Sequence, residues 1–384
     1  MILPWYDGCI GNPILRKYAI ISQRKSLVGV GCALSASVFL AACNSTSSAS
    51  APHKAPTPAI SVSSISKLLV NQSKLDNQSA VWTPALAKQL YAGTALTNED
   101  LNGEMSVQFG LNHAPKGFKD LYNHLISQSL PTKGSQFSQM MVVETAINTT
   151  APSAKASHPS ANENAQILLE ERTSAHSTWR ITADPQTFVS LLPKLDPLMS
   201  TQVNPNSLVM TPNEAVSATT QTFSSWIANT NINYHQAPQY FPQALDYKSS
   251  SLGSYEFPSS LQNFIAPTWM YKHQSSSSHF TWTASQTALG APLSIRVPGG
   301  ALVFYNAVLN TKLEADPGSG WYEDYTSSIK AKIVTSKVNM QYAVFDPTKV
   351  HRSGAKQPSI KVVGVDEMQS QYDEISTSGK VLSS

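Results

Sequence analysis

Every cysteine of this chain (Cys9, Cys32 and Cys43) lies within its first 43 positions. Whatever follows Cys43 must therefore fold without a disulfide, a thiolate-held zinc or a thiol nucleophile. Its stability has to come chiefly from buried apolar surface. The chain can supply that: its 384 residues are 41% hydrophobic and only 13% charged. Such a composition is far from one that keeps a chain unfolded. At about 100–200 residues per domain, there is room for two domains plus tails.

The third cysteine ends a leader. Arg24 and Lys25 form a positive start, and Leu27 to Leu40 is an uncharged stretch of 14 residues. As a helix it would span roughly 21 Å, short of the roughly 30 Å core of a bilayer. That length predicts a cleaved signal rather than a permanent span. Leu40-Ala41-Ala42-Cys43 resembles the bacterial lipobox. The resemblance implies cleavage between Ala42 and Cys43 and diacylglycerol on the Cys43 sulfur. Two or three acyl chains, at about 0.8 kcal/mol per buried methylene, would hold such a protein on a membrane. The implied location is exported and anchored to the outer face of the bacterial cell membrane. Asn44 rather than Asp follows the cysteine, so the usual inner-membrane retention signal of Gram-negative cells is not expected. The residues before Arg24 exceed an ordinary leader and are read as an upstream extension.

Charge excludes one class of partner. Of 27 basic and 24 acidic residues, Arg16, Lys17, Arg24, Lys25 and Asp7 precede Cys43, leaving 23 of each in 43–384. A neutral body offers no broad basic field for nucleic acid.

The expected layout is a signal peptide over 1–42, a disordered Ser/Ala/Pro tether over 43–59, and α+β domains over 60–200 and 210–375. In the first domain Val62, Ile65, Leu68 and Leu69 recur at helical spacing. Thr83-Pro84 reads as an N-cap and first helical residue. Strand-like runs follow at Phe137–Ile147 and Gln166–Thr182, around a loose 149–163 connection, and Asp184-Pro185 reads as the cap of a short helix through Leu192. The second domain restarts with a capping box, Thr211-Pro212-Asn213-Glu214, ahead of Val216, Phe223, Trp226 and Ile227. An aromatic stretch from Tyr234 to Tyr271 precedes strand-like runs at Phe280–Thr283, Leu293–Val297, Ala301–Leu309, Lys330–Phe345 and Ile360–Val365, with Pro298-Gly299-Gly300 as a turn. Each half thus reads as a helix packed on a curved antiparallel sheet, a cystatin-like or nuclear-transport-factor-like arrangement.

Three segments carry a family resemblance. Arg296 to Phe304 (Arg-Val-Pro-Gly-Gly-Ala-Leu-Val-Phe), Tyr342 to Pro347 with Thr348-Lys349, and Ile360 to Val365 resemble the closing region of actinobacterial surface lipoproteins of unassigned function. Trp179-Arg180-Ile181 and the helix start at Thr211 fit the same layout. The resemblance implies a location and an architecture, but no activity.

Candidate chemistry is sparse. Ser64-x-x-Lys67 and Ser327/Ser328-x-Lys330 include the Ser-x-x-Lys spacing of penicillin-interacting enzymes, but no Lys-Thr-Gly strand accompanies them. His273 and His279 flank a serine run without a third ligand at recognisable spacing. Glu170-Glu171 and Glu323-Asp324 are adjacent carboxylates, which point to opposite faces of a strand and so read as solvated charge. Trp321, Tyr322 and Tyr325, beside acids, are the candidates to line a sugar or peptide cleft. The chain contains no Gly-x-Ser-x-Gly, His-Glu-x-x-His or Gly-rich nucleotide loop. No catalytic residue, metal or cofactor is expected. The reading is a membrane-anchored binding or scaffolding module for an envelope protein, cell-wall polymer or lipid. The alternatives are an envelope hydrolase with a nonstandard site and a solute-binding lipoprotein.

Overall fold

The computed structural model describes residues 60–78, 83–108, 121–132, 138–148, 164–199, 203–228, 239–241, 280–315, 322–323, 330–331, 333–352, 354–375 and 381–383. It is a mixed α+β fold, in which a few helices cover a large sheet curled into a half-barrel.

Three helices come first: α1 (Val62–Gln78), α2 (Pro84–Leu90) and α3 (Gly93–Gln108). Ile65 and Leu69 of α1 are buried and Leu68 is half-buried, as the periodicity requires. Thr83 caps α2 by accepting a hydrogen bond from the Leu86 backbone N–H at 3.3 Å, with Pro84 at the first helical position. Strands β1 (Leu121–Pro131), β2 (Met140–Asn148), β3 (Asn164–Glu171) and β4 (Arg180–Ala183) follow as an antiparallel meander. The Asp184-Pro185 pair does not start a helix. Instead β5 (Gln186–Phe188) runs beside β3, and a single 3-10 turn spans Val189–Leu191. The main-chain groups of this short strand find partners on β3, whose Ile167 N–H donates to the Pro185 carbonyl at 3.0 Å. A two-residue strand, β6 (Leu198–Met199), pairs parallel with the end of β1.

Helix α4 (Pro212–Ala228) opens the second half. Its capping box forms as the spacing predicts. The Thr211 N–H donates to Glu214 Oε2 at 2.7 Å, and the Glu214 N–H donates to Thr211 Oγ1 at 3.3 Å. Then come β7 (Phe280–Val297), β8 (Gly300–Ala315), β9 (Tyr322–Glu323), β10 (Lys330–Ala331), β11 (Ile333–Pro347), β12 (Lys361–Ile375) and β13 (Val381–Ser383). The runs at 280–283 and 293–297 are two ends of one strand, interrupted between Leu289 and Leu293. Pro298-Gly299 makes the β7–β8 turn, and Gly299 sits at φ +83°, where a side chain is strained.

The main sheet runs β6-β1-β2-β3-β5-β12-β11-β8-β7, with β4 on β3 and β13 on β12. Its two halves meet through β5, where Gln186 pairs with Val365 of β12. Side chains alternate across it. Val142, Ile167, Leu302, Phe304 and Ala343 form one face with Leu195 and Met199 from the 189–199 segment. On the other face α1–α3 cover Met141, Val143, Leu168 and Ile181. There α4 covers Val303, Tyr305, Tyr342 and Val344.

Candidate functional site

Three places concentrate polar side chains in otherwise apolar surroundings. The first lies under α4. Its inward face presents Thr219, Phe223 and Ile227, all buried. Below them Tyr305 of β8 and Tyr342 of β11 stack, ring centres 4.8 Å apart at 11°. Thr219 Oγ1 lies 2.7 Å from the Tyr305 hydroxyl and also donates to the Ala215 carbonyl at 2.8 Å. Burial pushes the Tyr305 hydroxyl well above its ordinary range, so it remains a protonated donor. Gln286 Nε2 donates to the Tyr342 hydroxyl at 2.5 Å, and the Gln286 backbone N–H donates to Ser224 Oγ at 2.8 Å.

Phe241, from the aromatic 234–271 stretch, closes this layer. Its ring lies 5.4 Å from Phe223 and 6.3 Å, edge-on, from Tyr342. The preceding Tyr240 sits at φ 74°, a strained conformation for a bulky residue, which typically costs about 1–3 kcal/mol. Two contacts hold it there: Phe241 is buried, and the Tyr240 carbonyl accepts from the Val362 N–H at 2.7 Å. The Thr219 and Tyr305 hydroxyls pair with each other and the Tyr342 hydroxyl pairs with Gln286, beside the Phe241 ring.

The second place is a pair of buried carboxyls on adjacent strands. Glu170 of β3 is 0% exposed, which corrects its reading as solvated charge. Gln72 of α1 donates to its Oε1 at 2.7 Å, while Glu170 Oε2 and Gln72 Oε1 have no partner among the described residues. Burial raises the Glu170 pKa to about 7, against a smaller lowering by Gln72. Glu144 of β2 stands opposite Ser127 of β1 and accepts its hydroxyl hydrogen bond. Burial raises it to about 7 as well, with Ser127 lowering it. Alternation from Val143 turns Glu144 toward the Val142 face, whereas Glu170 meets α1 on the other. The two acids lie on opposite faces of the sheet and cannot work as a catalytic pair. Glu171, half-buried, is also raised by desolvation.

The third place is where the turn before β8, the end of β11 and the residues ahead of α4 meet. The Thr348 N–H donates to the Gly299 carbonyl at 2.8 Å, and Val209 N–H to the Pro347 carbonyl at 2.9 Å. A Cβ on Gly300 would meet Pro347 Cα at 2.8 Å, so only glycine permits this approach. Asp346 of β11 accepts from the Met210 N–H at 3.4 Å, just ahead of the α4 cap. Burial raises it to about 6, opposed by its bonds from Met210 and Val209. The turn before β8, the end of β11 and the start of α4 are thus fastened at one end of the sheet.

The residues singled out from the sequence fall mostly elsewhere. Ala42, Cys43, Trp321, Tyr325, Asp324, His273, His279, Ser327 and Ser328 lie outside the described residues. Tyr322 is in β9 opposite Ala331, and Glu323 opposite Lys330. Ser64 bonds to the Ser61 hydroxyl at 2.8 Å at the start of α1, and Lys67 is exposed. Sequence reasoning missed Gln72, Glu144 and Asp346. For Glu144 a signal existed, since it is a lone acid in the apolar run Met140–Ala146. Among the described residues no group of three His, Cys, Asp or Glu side chains is placed to hold a metal ion, and no helix is long and apolar enough to cross a membrane. Comparison with protein-family models, curated proteins and solved structures finds no match to the chain.

Proposed function

We propose that this chain is a lipid-anchored envelope protein, held on the outer face of a bacterial cell membrane through Cys43, that works by binding through its outer surface. The leader and the Ser/Ala/Pro segment after it support the anchor. The observation that carries the binding part is the seating of Phe241 against Phe223 and Tyr342, which commits the layer between α4 and the sheet to cohesion. The partner would be an envelope protein, cell-wall polymer or lipid. In this reading the chain is kin to the actinobacterial surface lipoproteins. Residues 60–200 and 210–375 are two cystatin-like units that share the sheet at β5.

Detergent-phase partition tests the anchor. The wild-type chain expressed in a bacterial host should enter the detergent phase and incorporate labelled palmitate. Cys43→Ser should abolish the label and leave an unprocessed product or an aqueous-phase one. Unchanged labelling and partition in Cys43→Ser would overturn the anchor.

A further inference from the structure

We infer that residues 348–361, the connection between β11 and β12, form a docking surface for anionic phospholipid headgroups. The segment reads Thr-Lys-Val-His-Arg-Ser-Gly-Ala-Lys-Gln-Pro-Ser-Ile-Lys and carries Lys349, Arg352, Lys356 and Lys361 with no acid. Residues 43–384 hold 23 basic and 23 acidic groups, so outside this segment 19 bases face 23 acids. The segment thus carries a formal +4 against −4 for the rest of the body. All four cations and His351 are exposed, as is Val350 at 40%.

The loop is built rather than loose. Gln357 clamps Val350 with two hydrogen bonds, accepting from its N–H at 2.9 Å and donating to its carbonyl at 2.7 Å. The Ala355 N–H closes a turn onto the Arg352 carbonyl at 3.1 Å. At the base, Lys349 N–H donates to the Ser207 carbonyl at 2.8 Å and Thr348 N–H to Gly299. Glu214 and Asp346 interact with Lys349 and offset part of its charge, so the outward field rests on Arg352, Lys356 and Lys361. Asp346 is buried, and the Glu214 carboxylate is turned onto the Thr211 N–H and hydroxyl.

A clamped, exposed Val350 among spread cations suits a broad anionic surface with an apolar interior beneath it. Small-anion sites instead converge several donors on one point. The inference rests on the anchored reading for proximity: the 16 residues 44–59 after Cys43, fully extended, reach about 55 Å, so the loop would stay within range of the bilayer. Each Lys or Arg near an anionic membrane is worth about a five-fold gain in binding.

The test uses the chain from Asn44 onward, which lacks Cys43 and keeps every described residue. It is mixed with phosphatidylcholine vesicles containing or lacking phosphatidylglycerol, at low and high salt. Binding should require phosphatidylglycerol and weaken as salt screens the charges. The triple variant Arg352→Gln, Lys356→Gln, Lys361→Gln should bind roughly 100-fold more weakly, with an unchanged thermal midpoint. Neutralising the exposed Lys67, Lys88 and Lys194 should leave binding within about two-fold. Equal binding to both vesicles, or an unaffected triple variant, would overturn the inference. So would binding to a soluble phosphate polymer with none to vesicles, which would assign the loop to a wall polymer. Because the chain lacks Cys43, a negative result here leaves acylation unaddressed, and loss of acylation leaves this result standing.

Discussion

Replacing Glu170 with glutamine should make the protein more stable at alkaline pH and leave it nearly unchanged at acid pH. In the folded state the carboxyl is fully buried on the sheet face that α1 covers, and among the described residues Gln72 is its hydrogen-bond partner. Its pKa rises from 4.5 to about 7 through burial. Folding therefore retains a proton that the unfolded chain releases between those values, and stability falls as pH rises through that window. At 1.36 kcal/mol per pH unit, the ionised form costs about 3 kcal/mol above pH 7. Glutamine cannot ionise. Its carbonyl can still accept from Gln72 Nε2, and its NH2 can serve the unpartnered Gln72 Oε1. The assay is urea unfolding of both proteins at pH 5 and pH 8, followed by far-ultraviolet circular dichroism. Taking the difference between the proteins cancels the parallel titrations of Glu144 and Asp346. The variant should gain about 3 kcal/mol at pH 8 and about 0–1 at pH 5. The same gain at both pH values, or a loss at pH 8, would refute the argument that burial of charge sets the penalty.

Gly300→Ala places a methyl against the Pro347 backbone and should lower the unfolding free energy by about 1–3 kcal/mol, read from the urea midpoint. Phe241→Ala removes the ring between Phe223 and Tyr342. It should cost about 3–5 kcal/mol and raise binding of a hydrophobic dye, whereas wild-type stability would mean that this ring is not part of the core. Thr211→Ala deletes one arm of the capping box and should cost about 1 kcal/mol, with amide exchange quickened first in the opening turn of α4.

What the sequence disclosed was local. Thr83-Pro84, Thr211–Glu214 and Pro298-Gly299 each encode their geometry within four residues, and each appears where its chemistry requires. What it concealed was tertiary. Helix α3 begins at a glycine and has no strong apolar stripe, so its place against β4 and β12 is settled by contacts distant in sequence, such as Asn98 Nδ2 donating to Asp366 at 3.1 Å. Strand β5 is three residues long and exists because β3 and β12 offer partners on both sides. Glu170 looked like surface charge because alternation alone cannot say which face a helix will cover. Glu170 needed Gln72, 98 positions away, to be recognisable as buried.

The narrow bridge at β5 has a consequence for cooperativity. Beyond it the β7, β8, β11 and β12 strands form long ladders, with β8 and β11 paired without a break, while the β1 to β4 strands are shorter. Opening free energies follow such differences in local cohesion. Amide exchange should therefore resolve two protection levels, highest along Leu302–Leu309 and Val338–Val344 and lower across Met141–Ala146. The Gln186–Phe188 amides should exchange with the weaker group, because they lose their β3 partners as soon as the meander opens.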